Sequence, residues 1–354
     1  MAGWRLAVFQ PLSLAMFGSP GKLLEAGLHG PGAGASSLYY PLPSTLAGAL
    51  AKAVAGDPSC DGKLRDFTGD FDDLDCVLRD VLGDEYILRA GLARSEEGEY
   101  YVYVGEGLVK LDTLAKYVRL KLGEEKKPCN EKKGRESLVY RPRKAGYTGI
   151  ALKRDSKTVE EGMLYYMELV DYTRPVRLEI ILPFQGRVGR ASLNHVRLGG
   201  EGSVARFRLE ESGLDVSSRL CLGRSRTLRL LLVSPALIEP LGGGGVPFVV
   251  GGAVASGEKL GKWIASRLLE NAKDECGSIH YKRVLVPAND LELSIVFPGW
   301  TFMDKPRRPH VIVPAGTILE VEVSNPEACC RKLTVEGVGA HSRLGWGTVV
   351  VVPG

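Results

Sequence analysis

The sequence predicts an α+β fold in two halves, and three observations lead there. Its 354 residues exceed what one domain usually holds. The first half alternates strand, helix, hairpin and helix signals, close to a βαββαβ order. The second half is mostly short apolar strands with one clear helix. Hydrophobic residues make up 44% of the chain, an ordinary content for a packed core.

In chain order, Leu6 to Phe9 is apolar and is broken by Gln10 and Pro11, so it reads as a first strand and not a signal peptide. A glycine-rich connection from Gly18 to Ser36 leads to Pro43-Ser44-Thr45, which opens a helix running to Ala55 and stopped by Gly56. Ser44 is the candidate N-cap, and Leu46, Ala49, Leu50 and Ala53 share one face. A second helix runs from Asp72 to Leu82; its leading acids suit the positive end of the helix dipole, and Gly83 ends it. Tyr86 to Ala93 and Tyr100 to Val104 read as a hairpin around Glu96-Glu97-Gly98-Glu99.

Thr113 to Lys121 is helical and runs into a charged stretch, Gly123 to Ser137, with the character of an insertion. Tyr147 to Leu152 would close the first sheet. Strands follow at Val176–Leu182, Val204–Glu210, Thr227–Val233, Leu291–Phe297, Ile318–Val323 and Thr348–Val352, with a helix at Lys259–Leu269. Joining the halves near 165–180 gives domains of 1–172, with its charged insertion near 123–137, and 173–354.

The net charge of +4 is too small to argue for nucleic acid by itself, but its distribution is uneven. Lys116 to Lys144 holds eleven Lys/Arg against four Glu, a net of +7, and Arg187 to Arg208 holds five Arg and one Glu. No apolar stretch approaches the length of a membrane span, so no membrane contact and a cytoplasmic location are expected. Seven cysteines without a Cys-x-x-Cys pair read as reduced thiols, and neither a metal nor a cofactor is expected. Quadruple glycine at 242–245 lacks the Gly-Lys-Ser/Thr of a phosphate loop and reads as a flexible connection.

The most informative segment is Gly337-Val338-Gly339-Ala340-His341-Ser342-Arg343-Leu344-Gly345-Trp346-Gly347, two Gly-hydrophobic-Gly triplets five residues apart. Glycines at both ends allow positive φ and let backbone N–H groups approach an anion. A dinucleotide fold would need a third glycine, where Ser342 stands, and an opening helix with further strands. That fold is excluded.

The segment resembles the C-terminal glycine-rich loop of the RAMP superfamily, the CRISPR-associated RNA-binding proteins. The usual pattern ends on a hydrophobic residue, where this chain has Thr348. Four upstream blocks are similar to one branch, the third subunit of the type III-B Cmr effector complex. They are Pro41-Leu42-Pro43-Ser44-Thr45 with Gly48-Ala49; Gly149-Ile150-Ala151-Leu152 with Gly162-Met163-Leu164-Tyr165; Leu198-Gly199-Gly200-Glu201-Gly202; and Gly299-Trp300 with Pro314-Ala315-Gly316-Thr317. No single block carries the resemblance. Their order along the chain does.

The resemblance implies two ferredoxin-like (RRM-like) domains with inserted loops and hairpins, and no enzymatic activity. It implies a subunit that holds the 5′ handle of the guide RNA and docks on the large polymerase-like subunit, beside backbone RAMP subunits. Such a role needs backbone N–H cradles, cations and stacking surfaces. The candidates are Gly337, Gly339, His341, Arg343, Gly345, Trp346 and Gly347 in one loop. Arg187, Arg190, His195, Arg197, Gly199 and Gly200 form a second group, and Ser44 and Thr45 lie at a helix start. Trp346 reads equally as a core anchor.

Two rival functions stay open at this point. His29 lies between the first strand and the first helix, where a metal-independent guide-processing endoribonuclease of the same superfamily would carry its acid–base catalyst. The glycine loops could also pack against protein partners in a scaffold that makes no RNA contact.

Overall fold

The computed structural model describes residues 3–18, 21–22, 36–56, 71–125, 138–152, 159–188, 191–200, 202–211, 219–223, 225–239, 258–287, 293–297 and 310–354. Within them the fold is mixed α/β. The chain begins with β1 (Arg5–Pro11), β2 (Gly21–Lys22), α1 (Pro43–Ala55), α2 (Phe71–Leu82), β3 (Ile87–Arg89), β4 (Leu92–Ser95), β5 (Tyr100–Tyr103) and β6 (Leu108–Lys110). It continues with α3 (Leu114–Lys121), β7 (Val139–Tyr140), β8 (Arg143–Leu152), β9 (Val159–Asp171), β10 (Leu178–Gln185), β11 (His195–Arg197) and β12 (Val204–Glu211). The remainder is β13 (Thr227–Leu232), β14 (Ala236–Ile238), α4 (Glu258–Leu268), β15 (Ile279–Leu285), β16 (Ser294–Phe297), β17 (His310–Val313), β18 (Ile318–Val323), α5 (Pro326–Glu336), β19 (Leu344–Gly345) and β20 (Val349–Pro353).

The largest sheet runs β11-β12-β1-β10-β4-β5-β6-β7, with β3 also on β10 and the short β19 on β3. Strand β10 is buried from Leu178 to Phe184, because both of its faces are covered. On one face Ala7, Phe9, Ile180 and Leu182 pack with Leu46 and Leu50 of α1 and with Val77 and Leu78 of α2. On the other, Leu6, Val8, Leu92, Val102 and Ile181 meet Leu231, Ile318, Val350 and Val352 of a second sheet.

That second sheet runs β15-β18-β13-β20. Its far face, with Leu228, Leu230, Val321 and Val351, packs on Ile264 and Leu268 of α4 and Leu333 of α5. The layers are therefore helices, sheet, sheet, helices, and the alternation along β13 and β20 divides their side chains between two cores.

Two ion networks lie beside the sheet-to-sheet core. Arg94 and Arg208 both pair with Glu179 and Glu210. Arg229 and Arg283 both pair with Glu320 and Glu124. Burial raises the Glu320 carboxyl, but hydrogen bonds from Arg229 and Arg283 outweigh it and hold the group below its ordinary range.

Several expectations change here. The helix at 43–55 opens on Pro43 with Leu42 as N-cap, held extended at φ −62° and ψ 149° as a residue before proline prefers. Ser44 therefore lies inside the first turn, buried, and is not the cap. The segment 147–152 does not close the first sheet, because it is part of β8, which pairs with β9 in a separate ribbon. Strands β10 and β12, which follow the expected division at 172/173, both pair with β1.

The cysteines also depart from expectation. Cys221 bonds Cys330 and Cys276 bonds Cys329, and Cys76 is disulfide-bonded too. Adjacent residues on a helix face different neighbours, which lets Cys329 and Cys330 reach separate partners. Both bridges pin α5, a helix absent from the expected elements. Its signal was Asn325-Pro326: the Asn325 side chain accepts from the Ala328 N–H, with proline in the first turn.

Candidate nucleic-acid interface

The glycine loop starts where α5 ends. Gly337, Gly339, Gly345 and Gly347 have φ of 72°, 75°, 90° and 63°, so the geometry that the glycines promised is present. Their N–H groups, however, point into the protein. Gly337 donates to Leu333 O at 2.9 Å, Val338 to Gly347 O at 2.9 Å, Gly339 to Leu268 O at 3.1 Å and Ala340 to Leu237 O at 2.7 Å. Gly345 donates to Ser342 O at 3.0 Å and Gly347 to Pro235 O at 2.8 Å. Those donors are engaged by carbonyls, which removes the loop's main means of cradling a phosphate.

Three side chains of the loop are also held. Trp346 is fully buried and meets Phe71 edge-on at 6.0 Å between centroids, so it is a core anchor and not a stacking platform. The Arg343 guanidinium donates to the carbonyls of Tyr86 and Asp84 and lies 5.0 Å from the Tyr86 ring centroid. His341 stacks on Phe71 at 4.2 Å. Pro43 Cβ would lie 3.6 Å from a methyl placed on Gly345, so the start of α1 with Ser44 and Thr45 abuts the loop.

Two further residues lock this arrangement, and neither role was visible in the sequence. Arg89 is fully buried and donates to Leu88 O, to Ser342 O at 2.8 Å and to Val335 O near the C-terminus of α5. A cation is favoured at that end of a helix. Burial pushes its pKa down to about 9, with Glu336 pulling it upward, so it stays charged at neutral pH. Thr348, which stands where the loop pattern has a hydrophobic residue, accepts from the Ala90 N–H at 3.1 Å and donates to Gly345 O at 3.1 Å.

The second glycine group behaves similarly at its core. Gly199 has φ 92°, and a Cβ there would lie 2.2 Å from Met16 O; Gly200 N–H donates to Met16 O at 2.9 Å. The buried Ser203 hydroxyl donates to Gly200 O at 2.8 Å. The cations around it do not turn inward. Arg187, His195 and Arg197 are exposed, and His195 sits opposite Arg206 in the register of β11 on β12.

Arg206 is exposed as well, and it was visible within the basic segment without being singled out. Arg187, Arg197 and Arg206 make no ion pair or side-chain hydrogen bond among the described residues. Neighbouring Arg208, by contrast, is occupied by Glu179 and Glu210. The basic ribbon of β11 and β12 thus offers an outward cationic edge suited to a phosphate backbone. Arg190, His29, Trp300, Glu201, residues 126–137 and the glycines at 242–245 lie outside the described residues.

No helix among the described residues is long and apolar enough to cross a membrane. The family model described as CRISPR-associated protein (Cas_Cmr3) matches residues 87–353. A chain of the type III-B Cmr-beta complex bound to cognate target RNA and AMPPnP is similar at 19% identity and a TM-score of 0.50, over 89% of this chain and 86% of that one. A chain of Cmr-beta bound to cognate target RNA is similar at 21% identity with the same TM-score and the same coverage. At such identities the likeness shows the fold alone. No curated protein sequence matches.

Proposed function

The chain belongs to the CRISPR-associated family described as Cas_Cmr3, and from that premise we propose that it is a non-catalytic RNA-binding subunit of a type III-B effector complex. It holds the 5′ handle of the guide RNA, docks on the large polymerase-like subunit beside backbone RAMP subunits, and works in the cytoplasm. The family match over 87–353 is the observation that carries this reading. The similar chains come from Cmr-beta complexes bound to cognate target RNA, which supports an RNA-bound assembly.

Strand order supports two ferredoxin-like units, the first without a helix between β10 and β12 among the described residues. In the second, the element order β13-α4-β15-β18-α5-β20 goes with the sheet order β20-β13-β18-β15, as a βαββαβ unit requires. In the first, β12-β1-β10-β4 follows the same antiparallel order. An RRM-like unit commonly stacks bases on its open sheet face. Here part of that face in each unit is buried against the other, so our reading puts the RNA contact at the exposed ribbon edge, on His195, Arg197 and Arg206; Arg187, which follows β10, lies apart from that edge.

Photocrosslinking from the 5′ end of the guide RNA in the assembled complex tests this. The expected product is a covalent adduct mapping to peptides within 187–211. Adducts on other subunits alone would leave this chain as a scaffold without RNA contact.

A further inference from the structure

The geometry points to a divalent-cation site formed by Glu239, His310 and His341. The three come from separate parts of the chain: the residue after β14, the first residue of β17, and the glycine loop. Strand β14 pairs with β17 through Ile238 opposite Val311, and continuing that register sets Glu239 opposite His310. Leu237 bridges Ala340, which brings His341 to the same place. Their ligand atoms all lie within 4.8 Å of one another.

The two Nε2 atoms are 3.3 Å apart. A tetrahedral ion with bonds of about 2.0–2.1 Å to each nitrogen sets that edge at about 3.3–3.4 Å. The imidazoles could therefore ligate one ion without moving apart. Two imidazole nitrogens and one carboxylate oxygen suit zinc or a similar borderline cation, whereas calcium and magnesium prefer all-oxygen sets.

The surroundings fit the same assignment. Phe71 stacks on His341 at 4.2 Å and meets His310 edge-on at 5.6 Å, forming an apolar wall that fixes both rings. His310 is buried, His341 half-buried and Glu239 exposed, so the carboxylate side faces solvent and leaves room for a water ligand. His341 has φ 54° and is the non-glycine residue with positive φ among those described. A strained backbone at a ligand is a recurring feature of functional sites. Bound metal would tie the glycine loop to β14 and β17 independently of any RNA.

The test uses the full chain without a polyhistidine tag, stripped with EDTA and titrated with Zn²⁺ and, separately, Co²⁺. One equivalent of Zn²⁺ per chain is expected, with Co²⁺ giving the intense visible bands of a low-coordinate site. Glu239→Gln, at an exposed position, should keep the fold and weaken binding at least about ten-fold. His341→Asn, which tolerates the left-handed conformation, should abolish the Co²⁺ bands. Absence of stoichiometric binding would leave an N–H···N hydrogen bond between the rings and overturn the site. Binding unchanged in both variants would place the ion elsewhere and overturn it equally.

Discussion

The loop at 337–347 and the ribbon of β11 and β12 carry the same kinds of groups, glycine-rich turns beside arginine, yet they face opposite ways. In the loop, six backbone donors go to carbonyls of the fold, Arg343 caps Tyr86 and Asp84, and Trp346 is buried. On the ribbon, Arg197 and Arg206 stand out from the sheet. Glycine pattern reports backbone geometry, and that geometry serves an internal junction as readily as an anion. What separates the two uses is whether the N–H groups already have partners.

The largest effect expected from this contrast is at Gly347. A methyl there would lie 1.9 Å from Val338 O, at a φ of 63° that side chains rarely adopt. Gly347→Ala should destabilise the protein by more than about 3 kcal/mol in urea unfolding, since clash and backbone strain act together. A loss below about 1 kcal/mol would mean that the loop is not a junction and would reopen it as a ligand cradle.

Thr348→Val tests the same junction with a smaller change. The shape is kept, but the buried Ala90 N–H loses its acceptor. A loss of about 1–3 kcal/mol is expected from one unsatisfied buried donor. A neutral result would show that a hydrophobic residue serves equally at this position, and that the hydroxyl has no part in holding Gly345.

Much of the fold was legible because single elements declare themselves locally. The helices at 43–55, 71–82, 114–121 and 258–268 follow from apolar spacing and glycine stops, and β1 from its short apolar run. What stayed hidden depends on contacts between distant segments. Nothing local to 178–185 says that it pairs with β1, or that Cys329 and Cys330 find different partners. The cationic edge was half legible: the arginine cluster was visible, but only the register of β11 on β12 shows Arg206 beside His195. The His310–His341 contact joins residues 31 positions apart and has no local signature.

The smallest expected change in stability belongs to the ribbon, and it gives the sharpest test of the contrast. Arg197→Ala with Arg206→Ala removes two exposed cations that make no ion pair among the described residues, so stability should stay within about 0.5 kcal/mol. Guide-RNA affinity should nevertheless fall about ten-fold, and the log–log salt slope should flatten by about 0.7 for each phosphate that is no longer neutralised. Arg343→Ala should do the reverse. Its guanidinium holds two carbonyls and a ring, so unfolding should shift to lower urea while the affinity of the folded protein and its salt slope stay unchanged. Filter binding over a salt series, run beside urea unfolding on both variants, reads the two effects separately. If Arg343→Ala flattened the slope and the double variant did not, the loop would be the RNA contact and the ribbon an ordinary solvated edge.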